Sequence, residues 1–105
     1  MAQAKIVTVF RSRLADGDLS DYGPMSQRMS ELAVKMPGYI SHKGYIAEDG
    51  ERLTLVEFES EQAQNAWRNL PEHVGAQKEG RRRFYAEYTL QICQVLRQSV
   101  FTAKK

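Results

Sequence analysis

The chain has 105 residues and a formal net charge of +2, with 15 Lys and Arg against 13 Asp and Glu. That length predicts one domain, the 42% apolar fraction supports a packed core, and the small charge argues against a nucleic-acid partner. A lone cysteine, Cys93, excludes an internal disulfide, and with only His42 and His73 beside it no structural zinc set is expected.

The opening residues, MAQAKIVTVFRSR, hold too short an apolar run for a signal peptide or a membrane span, so a soluble cytoplasmic protein is expected. Within residues 5–14 the β-branched and aromatic run from Ile6 to Phe10 predicts a strand, broken by Asp16-Gly17-Asp18. Tyr22, Met25, Met29, Leu32, Ala33 and Met36 then recur in steps of three and four, the period of one helix face. Ser20 or Asp21 can cap this helix, Pro24 falls in its first turn, and Pro37-Gly38 stops it.

Residues 39–48 and 52–59 flank Asp49-Gly50, which predicts a hairpin closed by a two-residue type I′ turn. Ser60 opens a short helix running to about Leu70, and Pro71 restarts a second segment over 72–83. Residues 84–97 read as the last strand. Phe84, Tyr88, Leu90, Ile92 and Leu96 fall on one parity, and Tyr85, Cys93 and Val95 on the other, which predicts burial on both faces. The tail, 98–105, is expected to fray.

The order strand, helix, strand, strand, broken helix, strand matches a split βαβ, ferredoxin-like α+β fold with helices on one sheet face. The other face needs a cover, and an identical sheet is the simplest one.

Several short motifs carry a resemblance. They are Phe10-Arg11-Ser12-Arg13, Met36-Pro37-Gly38-Tyr39, the Asp49-Gly50 hairpin followed by Val56-Glu57-Phe58-Glu59-Ser60-Glu61, Ala66-Trp67-Arg68-Asn69-Leu70-Pro71-Glu72-His73, and Gly80-Arg81 with Phe84-Tyr85-Ala86-Glu87-Tyr88 behind it. Over roughly residues 4–97 the chain resembles the antibiotic biosynthesis monooxygenase family, in the branch related to heme-degrading monooxygenases. The resemblance implies a homodimeric α+β barrel with a pocket in each subunit between sheet and helices.

Quinone-forming members of that family, which need no cofactor, use a Trp that matches Trp67. Six residues later they carry a polar aromatic, here His73, and four residues before the Trp an Asn, here Ala63. Heme degraders use a first-strand Asn, which falls near Arg11, and a His ten residues after the Trp, which is Gln77 here.

Trp67 reads either as a core residue or as a pocket wall that stacks on a planar ring. His73 reads as a first-turn polar residue or as a general base. His42 reads as a surface or interface residue, and Cys93 as a small buried hydrophobe. Arg81-Arg82-Arg83 reads as a solvated face or as an anion holder. Arg11 and Arg13 share a strand face with Val7 and Val9. One of them could reach a pocket mouth or pair with Glu57 or Glu59.

Taken with the resemblance, these residues imply a cofactor-independent monooxygenase that acts with dioxygen on a planar aromatic, phenolic or polyketide-like substrate. Trp67 and His73 are its expected catalytic residues, and Phe10, Arg11, Tyr85 and Tyr88 its expected substrate-binding residues, with no metal. Two alternatives stand beside it: a heme-binding, heme-degrading enzyme with His73 on iron, and a non-catalytic small-molecule-binding or stress-response dimer.

Overall fold

The computed structural model describes residues 5–104. The expected domain's ends, residues 1–4 and 105, lie outside the described residues.

The elements follow in the expected order. Strand β1 is Ile6–Leu14, helix α1 Tyr22–Val34, strands β2 and β3 Tyr39–Ile46 and Arg52–Phe58, helices α2 and α3 Glu61–Arg68 and Pro71–Glu79. A single π-helical turn, Gly80–Phe84, leads into strand β4, Tyr85–Gln94. The four strands form one antiparallel sheet in the order β2-β3-β1-β4. This is the ferredoxin-like α+β arrangement.

The period of two along β1 sorts its side chains. Ile6, Thr8 and Ser12 are buried and Phe10 half-buried on the helix side, while Val7, Val9, Arg11 and Arg13 point the other way. Directly paired residues share a face, so the register carries this sorting across the sheet. Thr8 pairs with Val56 and Ile92, Phe10 with Thr54 and Leu90, and Val56 with His42. Between sheet and helices, Ala33, Phe58 and Trp67 form the buried core, with Met29, Leu32, Met36 and Val56 packed around it.

Helix α2 starts as the sequence predicts: the Ser60 hydroxyl accepts from the Ala63 N–H at 3.1 Å. Helix α1 does not. Asp21 sits at its N-cap without a side-chain cap bond. Its carboxylate instead accepts from Arg83 at 2.8 Å, tying the helix start to the π-turn.

Three expectations are corrected. The hairpin is there, but its loop has three residues, not a two-residue type I′ turn. The Gly50 N–H donates to Ala47 and only Gly50 has positive φ (+90°), so a type I turn over 47–50 ends in a left-handed glycine. Strand β4 is not apolar on both faces. A register shift beside Leu14 puts Tyr85 on the same side as Tyr88, Leu90 and Ile92, and leaves Glu87, Thr89, Gln91 and Cys93 on the other. Cys93 is therefore exposed, not a buried hydrophobe.

Residues 95–104 have no regular secondary structure. The stretch leaves the sheet with the Val95 N–H donating to the Lys5 carbonyl, and it exposes Leu96, Val100 and Phe101. Among the described residues no helix is long and apolar enough to cross a membrane.

Candidate functional site

All three helices lie on one side of the sheet, and a cavity of about 200 Å³ separates them from it. Its floor is the helix-side face of the strands: Thr8 and Phe10 of β1, His42 of β2, Thr54 and Val56 of β3, and Tyr85, Tyr88 and Leu90 of β4. Met25, Met29 and Ala33 of α1 close one wall. Gln64, Trp67 and Arg68 of α2, with His73, Ala76 and Gln77 of α3, form the roof.

Five of the six expected site residues meet here: Phe10, Trp67, His73, Tyr85 and Tyr88. Arg11 does not. It sits on the opposite sheet face, where its guanidinium donates twice to the Glu51 carboxylate, each at 3.1 Å. Arg13 on the same face pairs with Asp49 at 2.7 Å and Glu87 at 3.3 Å. Neither arginine takes Glu57 or Glu59 as partner; Glu57 pairs with Lys5 at 3.5 Å. The reason is parity: Phe10 faces the cavity, so Arg11 cannot.

Trp67 answers to both readings of it. It is 7% exposed and belongs to the core, yet its ring also walls the cavity. The His73 ring lies beside it, centroids 4.2 Å apart and planes 31° from parallel. Pro71 opens α3 two residues before this histidine, and the short 69–70 link folds α3 back so that the two rings meet. His73 Nδ1 lies 3.5 Å from the Arg68 carbonyl, a long contact that favours a proton on Nδ1 and leaves the Nε2 lone pair free. Burial pushes the imidazole below its ordinary value of 6.5, opposed in part by that carbonyl. At neutral pH the ring is uncharged and can accept a proton.

The aromatic floor is held by edge-on and tilted ring contacts. Phe10 meets Tyr85 and Tyr88 at 5.3 Å, and Tyr85 meets Tyr22 at 5.9 Å. Gly80 makes room for this packing, because a Cβ there would fall 2.6 Å from the Tyr85 ring. Burial raises the Tyr85 hydroxyl well above the ordinary phenol value, so Tyr85 is a neutral hydrogen-bond donor and not a tyrosinate base. Tyr88 differs: Arg81 donates to its hydroxyl oxygen at 3.3 Å, which leaves the Tyr88 proton free for another acceptor.

The arginine run is therefore divided. Arg82 and Arg83 clamp Glu79, at 2.9 Å each, and hold its carboxyl down at about 2. Arg81 alone turns to a cavity residue.

Among the cavity residues outside the expected set are His42, Gln64 and Thr8. His42, expected at the surface or an interface, is half-buried on the floor, with its Nδ1 2.7 Å from the Tyr39 hydroxyl. Gln64 is 4% exposed beside Trp67, and Thr8 is 9% exposed with its hydroxyl unpartnered among the described residues. The parity of β1 could have found Thr8, because it sits two residues before Phe10. The placement of His42 depends on the β2–β3 register, which local sequence does not carry.

No family model matches the chain. The protein is 32% identical over 93 residues to the uncharacterized protein YqjZ of Bacillus subtilis, covering 89% of this chain and 81% of that one. Solved structures share the fold at low identity. SnoaB, a cofactor-independent oxygenase from Streptomyces nogalater, superposes with a TM-score of 0.71 at 15% identity, covering 92% of this chain and 97% of that one. Rv0793 from Mycobacterium tuberculosis gives 0.80 at 14%, covering 92% and 100%. A dimeric ferredoxin-like protein of unknown function from Thermobifida fusca gives 0.71 at 13%, covering 89% and 92%. The chain thus belongs to the same family as YqjZ, built on the ferredoxin-like fold that antibiotic biosynthesis monooxygenases share.

Proposed function

We propose that the protein is a cofactor-independent monooxygenase for a small planar aromatic substrate. The observation that carries this reading is the stacked Trp67–His73 pair on the roof of a mainly aromatic and aliphatic cavity. Trp67 and Phe10 hold the ring by stacking and edge contacts. The free nitrogen of neutral His73 takes a proton from the substrate. The resulting anion delivers electrons to dioxygen. One oxygen atom stays on a ring carbon; the substrate gives up two hydrogens, one from that carbon and one from its hydroxyl, and they leave with the other oxygen as water. Tyr88, whose free proton has Arg81 behind the oxygen, can stabilise developing negative charge.

Cavity size favours this reading over the heme alternative. At about 200 Å³ the space suits one or two rings, whereas sites for drug-sized ligands run to ~300–1,000 Å³. His73 is also stacked on Trp67 and does not stand over an open face as an axial ligand would. These residues do not fit a porphyrin.

We also propose a homodimer through the helix-free sheet face. Val7, Val9, Leu53 and Leu55 are half-buried there without any helix over them, and the fold is shared with a neighbour described as dimeric. Light scattering should show the dimer; a stable monomer contradicts it. The exposed free Cys93 suits the reducing cytoplasm.

Oxygen uptake with a panel of one- and two-ring phenols tests the activity. His73→Gln should slow it by about 100-fold or more, the usual scale of a general base. Binding without oxygen uptake for any member would instead support a non-catalytic binding protein.

A further inference from the structure

One rim of the cavity is β4. Tyr88 and Leu90 line the cavity, yet they stay 38% and 41% exposed. Ile92, the next residue on that side of the strand, is 42% exposed and stands just beyond the lining. The register puts all three on the helix side: Ser12 pairs with Tyr88, Phe10 with Leu90 and Thr8 with Ile92. β4 is an edge strand, so no further strand flanks this row. At two residues per step the row runs roughly 14 Å, its second half outside the cavity. Polar groups bound it. At one end Arg81 donates to the Tyr88 hydroxyl, and at the other Gln94, paired with Ile6, follows Ile92 on the same side.

Scattered exposed apolar side chains need no explanation, but a row continuous with a cavity does. Its width decides the occupant. The row is one side chain wide and offers far less than the ~800 Å² per partner that a stable protein interface buries. It also lies on the opposite side of the sheet from the helix-free face proposed for the dimer. A slender part of a ligand seated in the cavity fits it. The cavity, at about 200 Å³, takes only the ring end of a longer molecule, and over β4 the rest would leave across apolar side chains. Leu90 and Ile92 are branched aliphatics with no flat face for a second ring to stack on, which favours a chain.

We propose that Tyr88, Leu90 and Ile92 form a tail groove, and that the substrate is a phenol carrying an apolar alkyl or acyl chain. This rests on the aromatic-substrate reading and extends it: the ring lies under Trp67 and His73, and the chain runs out over Leu90 to Ile92. The groove binds the chain and takes no part in the chemistry.

The test is anaerobic calorimetric titration with 4-ethylphenol, 4-butylphenol and 4-hexylphenol. Affinity should rise about two- to fourfold with each added methylene, the range for half to full burial of that group. Ile92→Thr keeps a β-branched residue in the strand. It should leave 4-ethylphenol binding unchanged, because the ethyl group is too short to reach it. It should weaken 4-hexylphenol by about fivefold or more and flatten the end of the series. Ile92→Val should keep most of the rise. A series that does not rise with chain length, a rise that survives Ile92→Thr, or no binding of any member overturns the proposal. So does a changed monomer–dimer balance of unliganded Ile92→Thr in light scattering, which would make the row an interface between copies. Chain-length dependence with no oxygen uptake in air would sink the monooxygenase reading and leave the groove standing. Oxygen uptake with 4-ethylphenol and a flat series would do the reverse.

Discussion

The two faces of β1 show how one strand divides the molecule's work. On the helix side, Thr8 and Phe10 line a cavity shared with aromatic rings and two histidines, and the Thr8 hydroxyl has no partner among the described residues. On the other side, Arg11 and Arg13 are tied to Glu51, Asp49 and Glu87, all partly exposed to water. Polar groups outside are satisfied by one another, whereas several inside are fixed in place yet left with free hydrogen-bonding capacity. A surface needs solubility and pays little for it; a binding site needs capacity held in reserve for its ligand.

The largest effect should come from breaking the inner face at Trp67. Trp67→Ala should cost about 3–5 kcal/mol in denaturant unfolding, because the ring is both core and cavity wall. Trp67→Phe should fold but bind planar ligands more weakly. If Trp67→Ala unfolds like the unmodified protein, the ring is not packed as described.

Gly80→Ala tests the same face more gently. The added methyl meets Tyr85 ring carbons at 2.6 and 2.8 Å, so the ring must move. A loss of about 1–3 kcal/mol is expected, with weakened 1-naphthol binding. Unchanged binding would show that the Tyr85 position is not part of recognition.

pH sharpens the contrast. His73 is lowered in the folded protein, so the unfolded chain binds its proton first as pH falls below 6.5. Stability should therefore be level above that value and decline as pH drops from 6.5 through the lower folded-state value. His73→Gln should remove that slope from a pH series of melting curves, and the acid limb of any oxygen-uptake rate should lie below 6.5. A limb above it would assign the base elsewhere.

The smallest effect belongs to the outer face. Arg11→Gln breaks an exposed ion pair and should change stability by no more than ~1 kcal/mol. Ligand binding in the cavity should not change. A clear loss of binding would return Arg11 to the site.

The element order was legible in the sequence because local signals set it: the Ser60 cap, the Pro71 restart and the three-and-four spacing of α1. What needed the third dimension was facing. A register shift near Leu14 turned Tyr85 to the side of Tyr88, which simple alternation along residues 84–97 assigns to opposite faces. His42 became a cavity residue only through pairing with Val56. Trp67 and His73 were found through the family resemblance, but their contact depends on how α3 folds back on α2. Arg11 lies one residue from Phe10, and the period of two sends it to the other face of β1.

The central claim is that the helix-side cavity, roofed by Trp67 and His73, is where this protein meets its ligand. Trp67 is the only tryptophan, so its indole N–H gives a single resonance in a proton–nitrogen NMR spectrum. Titration with 1-naphthol should shift that resonance saturably, together with the amides of His73 and Thr8, while those of Arg11 and Cys93 stay still. Shifts confined to Arg11, Cys93 and the outer sheet face, with the Trp67 indole unmoved, would contradict the account.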